Sequence, residues 1–215
     1  MTEFSRKNPS NRYILLLEQY QKMHEQGEKL LGILPENTFS GISLIPQAER
    51  IKKLIDLTDT ETLLDYGCGK GQQYERKYRD VEQNSYESVL DYWDVEELIC
   101  YDPGYAPYSE LPMQKFEGVI STDVLEHCPI DDIPWILDEI FSYAENFVFA
   151  NIASYPAQKS LPNGENAHCT QQGFEWWEAL INQVASRYSG LKWEFWLQSK
   201  SSEGAMQEQR LANFS

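Results

Sequence analysis

The stretch Glu61-Thr-Leu-Leu-Asp-Tyr-Gly-Cys-Gly-Lys-Gly71 decides the fold of this chain. Its first six residues, which include Leu63, Leu64 and Tyr66, are interpreted as a short strand. Glycine then stands at positions 67, 69 and 71. Because glycine lacks a Cβ atom, the backbone can turn sharply there and approach a ligand closely. The segment therefore predicts a strand that ends in a glycine turn, followed by a helix over residues 71–78.

Strands and helices alternate over the rest of the chain. Helical spacing of apolar residues predicts helices at 11–31, 47–57, 133–144 and 173–188. Apolar runs predict further strands at 97–101, 118–121 and 147–152, and a closing hairpin at 191–197 and 207–214 with its turn at 200–204. This order is typical of an α/β protein. We expect a three-layer sandwich with a mostly parallel sheet and a C-terminal antiparallel hairpin.

The length of 215 residues suits a single domain, and neither a repeat nor a linker divides the chain. Within that domain, residues 1–58 carry the N-terminal helices and residues 59–154 form the core. Residues 155–215 contribute a polar loop, a helix and the hairpin.

The charge balance narrows the range of partners. The chain has 34 acidic residues and 18 basic ones, which gives a net charge of −16. Nucleic acids and anionic membranes bind through lysine and arginine, so neither is an expected partner. No apolar run approaches a membrane span or the core of a signal peptide, and the four cysteines show no Cys-x-x-Cys spacing. We expect a cytoplasmic protein with reduced thiols and a small-molecule partner.

A carboxylate follows the second core strand. Asp102 comes directly after residues 97–101, where it could accept both hydroxyl protons of a ribose. Ligands of open α/β sheets bind beyond the carboxyl ends of the strands. The expected helix after the glycine turn would also present free N–H groups to a carboxylate or phosphate. Together these features predict a nucleoside-containing ligand.

The glycine spacing distinguishes between nucleoside cofactors. A dinucleotide fingerprint, G-x-G-x-x-G, would need glycine at position 72, where Gln72 stands. A phosphate-binding P-loop would need serine or threonine after Lys70, where Gly71 stands. What remains is an acidic residue shortly before G-x-G-x-G.

Three segments resemble the motifs of class I S-adenosylmethionine-dependent methyltransferases. They are residues 65–71, Asp102 and the segment Asp123-Val-Leu-Glu-His127. The last of these is similar to the motif that follows the fourth strand in members of the family that modify small molecules. The resemblance covers about residues 62–154 and implies S-adenosylmethionine as the cofactor. The residues that it assigns to the cofactor are Asp65, Tyr66, Gly67, Gly69, Asp102, Pro103, Thr122, Asp123 and Val124.

The resemblance also implies what each group does. Asp65 and the glycine backbone would surround the methionine part, Asp102 would hold the ribose, and Pro103 would line the adenine. The segment 122–124 would lie near the ammonium group. Between Asp102 and Gly118 the chain has no room for a helix and a strand, so we expect the third strand of that family to be missing.

Candidate catalytic residues are His168, His127 and Glu126. The resemblance implies that Glu126 and His127 face the acceptor, and histidine suits proton transfer because its ordinary pKa lies near neutrality. His168 lies in a polar loop after the strand at 147–152, and such loops often carry function. The alternatives are local packing for His127 and a solvated loop for His168.

Two further expectations concern histidine. His24 does not share the apolar face of its predicted helix, so we expect it to face solvent. The pairs His127-Cys128 and His168-Cys169 invite a zinc interpretation, but adjacent residues rarely bind one metal together. We therefore expect no metal site.

A cover for the cofactor could come from the N-terminal segment. Tyr20 or residues 39–41 could close over it, although a helix packed on the flank of the sheet is an equal alternative.

The sequence therefore predicts an S-adenosylmethionine-dependent methyltransferase that transfers a methyl group to an oxygen or nitrogen of a small-molecule or sugar-like acceptor. The alternative is a non-catalytic S-adenosylmethionine-binding regulatory module. Methylation of protein stays open. Methylation of RNA or DNA is disfavoured by the net charge, and a nicotinamide-dependent oxidoreductase is disfavoured by the glycine pattern.

Overall fold

A mostly parallel sheet forms the centre of the protein, whose computed structural model describes residues 4–201 and 203–215. The strands are β1 (Thr62–Tyr66), β2 (Tyr78–Arg79), β3 (Ser85–Tyr86), β4 (Glu97–Tyr101), β5 (Phe116–Thr122), β6 (Ala144–Ala153), β7 (Lys192–Lys200) and β8 (Met206–Ala212). The helices are α1 (Asn11–Gln26), α2 (Ala48–Thr58), α3 (Val89–Trp93), α4 (Ile133–Tyr143) and α5 (Phe174–Ala185). Within the described residues, no helix has both the length and the apolarity needed to cross a bilayer.

Six strands pair in the order β4-β1-β5-β6-β7-β8. Each neighbouring pair from β4 to β7 is parallel, and β8 runs antiparallel to β7 as the second strand of a hairpin. β2 and β3 form a separate two-stranded ribbon. The predicted α/β class and the C-terminal hairpin are confirmed. The predicted turn at 200–204 includes Ser202, which lies outside the described residues.

Helices cover both faces of the sheet. On one face, α2 and α3 pack over Ile120, Phe147 and Phe149. On the other face, α4 and α5 pack over Val119 and Val148. All five of these strand residues are fully buried, which explains why the strands are continuous apolar runs rather than alternating ones. The predicted three-layer arrangement is confirmed.

The sheet ends at β4. Within the described residues no strand pairs with the outer edge of β4, and the chain passes from it through a short 3-10 turn (Ala106–Tyr108) directly into β5. The third strand of the family that the sequence resembles is therefore missing, as expected from the short segment after Asp102.

Three predicted helices differ from the structure by more than one residue at an end. α5 ends at Ala185, three residues before its predicted end. α1 ends at Gln26 instead of continuing to residue 31, because Gly27 adopts φ 78° and lies so close to the Ile33 carbonyl oxygen that a Cβ atom at this position would be 2.2 Å from it. The helix expected over 71–78 is only a 3-10 turn (Gln72–Glu75) that leads into β2. There Tyr74 donates to the buried Asp65, a tertiary hydrogen bond of 2.7 Å that periodicity does not reveal.

One buried hydrogen-bond group ties α1 to the body of the protein. Ser10 caps the helix, since its Oγ accepts from the Tyr13 N–H at 3.0 Å. The Ser10 N–H donates to Asp132 Oδ1 at 2.9 Å, and its hydroxyl donates to the other oxygen of the same buried carboxylate. Trp135 donates to Asp132 as well, at 2.8 Å. A helix cap and a tertiary contact therefore share one side chain.

We expect Ser10→Ala to lower the free energy of unfolding by about 1–3 kcal/mol, because it removes the cap and leaves a buried carboxylate oxygen without that donor. Urea denaturation followed by circular dichroism measures the change. Ser189→Ala, at an exposed position, is the control and is expected to stay within about 0.5 kcal/mol of wild type. Equal stabilities of the two variants would contradict this account of the anchor.

Candidate functional site

A cavity of about 410 Å³ opens at the carboxyl ends of β1, β4 and β5, and it is closed on one side by α1 and residues 39–43. This volume lies within the range of about 300–1,000 Å³ that is typical of small-molecule sites. Eight of the nine residues that the sequence assigns to a cofactor line it: Tyr66, Gly67, Gly69, Asp102, Pro103, Thr122, Asp123 and Val124.

Asp65, the ninth, lies beneath the cavity rather than in its wall. Its side chain is 1% exposed, and its Oδ2 accepts from Tyr74 at 2.7 Å and from Gln73 at 3.2 Å. Its Oδ1 has no hydrogen-bond partner among the described residues. Burial raises the pKa of Asp65 to about 7, and the nearby Asp102 adds to this shift. The carboxyl group supports the glycine turn from below.

The glycine turn is shaped by contacts within the protein. Gly67 and Gly69 adopt φ 89° and 60°. A Cβ atom on Gly67 would lie 2.3 Å from a methyl group of Val124, and one on Gly69 would lie 2.2 Å from the Phe39 carbonyl oxygen. A side chain at either position would therefore push apart the two walls of the cavity.

The N–H groups of the turn are already used, which differs from the expectation of a free anion seat. The Gly67 and Cys68 N–H groups donate to the Tyr101 carbonyl, and the Gly71 N–H donates to Cys68. Lys70 and Gln72 donate to the carbonyls of residues 39 and 40, at 2.8 and 3.1 Å. The expected helix is also only a single 3-10 turn. The backbone of this loop can therefore approach a ligand closely, but its N–H groups are not free to donate hydrogen bonds to that ligand.

Asp102 lies at the floor of the cavity. Its Oδ2 accepts from the Gly69 N–H at 2.9 Å, and its Oδ1 accepts from the Gly104 N–H at 2.8 Å. Burial raises the pKa of Asp102 to about 6, while these two N–H groups act in the opposite direction. Each carboxylate oxygen keeps a second lone pair, and both are held in place next to the cavity. This arrangement suits a ligand with two neighbouring hydroxyl groups.

A second carboxylate follows β5. Asp123 adopts φ 54°, a left-handed conformation that is uncommon outside glycine, and its Oδ1 accepts from Asn151 at 2.5 Å. Burial raises its pKa, and hydrogen bonds from Asn151 and Ser43 lower it. The left-handed turn places this carboxylate in the cavity wall, which provides a partner for a cationic ligand group.

α1 and residues 39–41, which the sequence suggested as a possible cover for a cofactor, line one side of the cavity. Tyr20 and Phe39 both line the cavity, with ring centroids 5.6 Å apart. His24 lines it as well, stacked on Tyr105 at 5.0 Å, so the expectation that His24 faces solvent is wrong. Burial lowers its pKa to about 3. The helical spacing did not reveal this because the face of α1 that His24 shares packs against loops rather than against the sheet.

Lys159 is a cavity residue that the sequence did not suggest. Its Nζ lies 4.8 Å from the centre of the Phe39 ring, and burial lowers its pKa. It follows β6 in a loop without a recognisable pattern, so only the structure places this cation opposite Asp123, with which it interacts electrostatically.

The three predicted catalytic residues lie together. One carboxylate oxygen of Glu126 and one ring nitrogen from each of His127 and His168 lie within 4.8 Å of one another. The two imidazole rings meet edge to face with centroids 4.7 Å apart, and both line the cavity. Glu126 lies behind them, 0% exposed. Residues 41 positions apart in sequence thus form one cluster.

Backbone carbonyls orient both rings of the cluster. The Ala167 carbonyl lies 3.0 Å from His127 Nδ1, and the Tyr155 carbonyl lies 2.6 Å from His168 Nδ1. The Tyr20 hydroxyl lies 2.9 Å from His127 Nδ1 as well, but it donates its proton to the Ala167 carbonyl. Since a carbonyl only accepts, each Nδ1 carries the proton and each Nε2 keeps a free lone pair. Burial lowers the pKa of both rings, to about 3 for His127, so both are neutral at physiological pH.

Comparison with known proteins finds neither a protein family nor a curated protein that matches this chain. The kind of site in this protein is therefore inferred from the geometry of the structure and not from a relative. A parallel, Rossmann-like α/β sheet presents a cavity at the carboxyl ends of its strands, where such sheets bind their ligands.

We expect the stability of the protein to depend on pH through Asp65. With its pKa raised to about 7, this carboxyl stays protonated in the folded state at pH values where the unfolded chain is ionised. The stabilisation is present below about pH 4 and is lost as the pH rises towards 7. Relative to wild type, Asp65→Asn should gain up to about 4 kcal/mol between pH 4 and 8.

Urea denaturation of both proteins across this pH range measures the effect. Asp131→Asn, at an exposed carboxylate, is the matched control, and its difference from wild type should stay constant. A pH-independent difference for Asp65→Asn would show that the buried carboxyl does not titrate in this range.

Proposed function

We propose that this protein is an S-adenosylmethionine-dependent methyltransferase acting on a small-molecule or sugar-like acceptor. The observation that carries the proposal is one cavity that joins two sets of residues. The glycine turn and Asp102 lie at its floor and residues 122–124 in its wall, while His127 and His168, with Glu126 behind them, form another part of the wall. The first set suits a nucleoside cofactor and the second suits proton transfer from an acceptor.

The residues of the cavity fit the chemistry of the cofactor. Asp102 offers two fixed carboxylate oxygens to the ribose hydroxyls. Asp123 would hold the ammonium group and Lys159 the carboxylate. The rings of Tyr20 and Phe39 present the aromatic faces that attract a sulfonium cation. The positively charged groups of the cofactor would thus face a carboxylate and aromatic rings, and its negatively charged group would face a lysine.

When bound, S-adenosylmethionine supplies a methyl group on a positively charged sulfur, already activated for transfer. The protein has to hold the acceptor in line with that group, and such alignment contributes about 7–11 kcal/mol. Nε2 of His168, which has no partner among the described residues, would accept the proton that the acceptor releases as its oxygen or nitrogen forms the new bond. The electron pair of the broken bond stays on sulfur.

The net charge of the chain limits the acceptors that we propose. A net charge of −16 disfavours a polyanionic acceptor such as RNA or DNA and an anionic membrane. A small acceptor that enters beside His168 and Tyr155 remains the proposed substrate, and the cytoplasm remains the proposed location.

We expect Asp102→Ala to weaken S-adenosylmethionine binding by about 10- to 150-fold, which corresponds to about 1.5–3 kcal/mol for hydrogen bonds to a charged group. Isothermal titration calorimetry measures the affinity, and a thermal melt verifies that the variant is folded. Asp131→Ala, at an exposed carboxylate, should bind as wild type does. Failure of the wild type to bind S-adenosylmethionine or S-adenosylhomocysteine would refute the proposed function.

His168→Ala should lower the rate of S-adenosylhomocysteine formation with an accepted substrate by about 10²- to 10⁴-fold while leaving the affinity for S-adenosylmethionine unchanged. Product release across a panel of hydroxyl and amine acceptors provides the measurement. Asn163→Ala, in the exposed part of the same loop, is the control. If the wild type binds the cofactor but yields no product with any acceptor, the non-catalytic regulatory module is the better description.

A further inference from the structure

We propose that Glu126, His127 and His168 bind a divalent first-row transition-metal ion at the inner wall of the cavity. The three side chains are called the His2Glu cluster below. It draws Glu126 and His127 from the segment after β5 and His168 from the loop after β6, which the fold brings together. Nothing in the spacing of these residues along the chain predicts the site.

The rings of the cluster have the arrangement that metal-binding histidines adopt. Such a histidine nearly always donates its second ring N–H to a carboxylate, a carbonyl or water, which fixes the ring and its tautomer. Here the Nδ1–H groups of His127 and His168 face the carbonyls of Ala167 and Tyr155. Both Nε2 atoms are left with a lone pair, and neither has a hydrogen-bond partner among the described residues.

Glu126 provides the independent observation. Its Oε1 accepts from the Ala153 N–H at 2.9 Å, whereas its Oε2 is fully buried and has no hydrogen-bond partner among the described residues. A buried carboxylate oxygen without a donor is costly unless a cation or a proton compensates it. An ion between this oxygen and the two imidazoles would supply that compensation.

The spacing requires only a small adjustment. Ligands at about 2.0–2.1 Å from a tetrahedral ion lie about 3.4 Å apart, and here one carboxylate oxygen and one nitrogen of each ring lie within 4.8 Å of one another. Side-chain rotations that move each of these atoms by about 1 Å would bring them to the separation that a tetrahedral ion requires. Because both rings line the cavity, the remaining coordination position would face the space that a substrate enters.

Charged groups of both signs lie around the cluster. Asp123 interacts electrostatically with both Glu126 and His168, while Lys159 acts on both imidazoles with the opposite sign. Two imidazoles with one carboxylate form a donor set that suits zinc, iron or cobalt ions better than magnesium or calcium.

A consequence for the substrate rests on the proposed function. With the ion bound, both imidazoles would serve as its ligands, so His168 would no longer accept the proton itself, and the ion would lower the pKa of a hydroxyl group that occupies the remaining position. That hydroxyl would release its proton to water, and its oxygen would form the bond to the methyl carbon as the sulfur–methyl bond breaks and leaves its electron pair on sulfur. The cluster therefore favours an oxygen acceptor over a nitrogen acceptor.

The test is metal binding by the full chain after treatment with EDTA and removal of the chelator. Isothermal titration calorimetry with Zn²⁺ should show one tight site per chain. Titration with Co²⁺ should produce the visible absorption of a low-coordinate ion. Glu126→Gln and His168→Ala should each weaken the tight site at least about 100-fold, since loss of an outer partner alone typically costs 10- to 100-fold.

His24→Gln is the matched control, because His24 is a buried histidine of the same cavity outside the cluster. It should bind Zn²⁺ as wild type does. Glu126→Gln keeps an oxygen for the Ala153 N–H, and circular dichroism with a thermal melt verifies that each variant is folded. Absence of saturable binding by the wild type would overturn the proposal, as would wild-type affinity in both folded cluster variants.

The two proposals fail separately. S-adenosylmethionine binding is measured on the same preparations with and without Zn²⁺. Zinc binding at the cluster without cofactor binding would support the metal site and refute the methyltransferase. Cofactor binding without any metal binding would support the proposed function and refute the metal site.

Discussion

The cavity depends on the contact between the glycine turn after β1 and residues 39 and 40. The Lys70 N–H donates to the Phe39 carbonyl at 2.8 Å, and the Gln72 N–H donates to the Ser40 carbonyl at 3.1 Å. A Cβ atom on Gly69 would lie 2.2 Å from the Phe39 oxygen, so this approach requires glycine. The carboxyl end of the parallel sheet thereby gains a wall on one side, to which Phe39 and Tyr20 contribute.

Several buried polar atoms without hydrogen-bond partners lie at the same end of the sheet. Among the described residues, Asp65 Oδ1, Glu126 Oε2 and Asn151 Oδ1 all lie at or just beyond the carboxyl ends of the strands. Each such atom costs about 1–3 kcal/mol when nothing compensates it. A protein with a net stability of about 5–15 kcal/mol has little room for costs of this kind. Their concentration beside one cavity indicates that this edge of the sheet is arranged for a ligand.

Much of the fold could be predicted from local sequence. The bounds of β4 agree with the apolar run at 97–101, and β1 differs from its prediction by one residue. The helix predicted at 71–78 is wrong, because Tyr74 and Tyr78 are held by Asp65 and Glu49 rather than by a helical turn. The end of α1 was misplaced because Gly27 takes a left-handed conformation. The first error comes from tertiary hydrogen bonds of the two tyrosines, and the second comes from the local conformation of a glycine.

The sequence by itself determined the α/β class, the segments that form the strands of the main sheet, and the positions of the glycine turn, Asp102 and Asp123, because apolar runs and glycines act over a few neighbouring residues. The order of those strands within the sheet is a finding of the structure. Only the tertiary structure decided which donors remain free, that His24 is buried, that Lys159 enters the cavity, and that His168 meets His127 and Glu126. These outcomes depend on how loops from different strands pack against α1. That packing is a balance of non-local burial and hydrogen bonding, and no short segment of the chain encodes it.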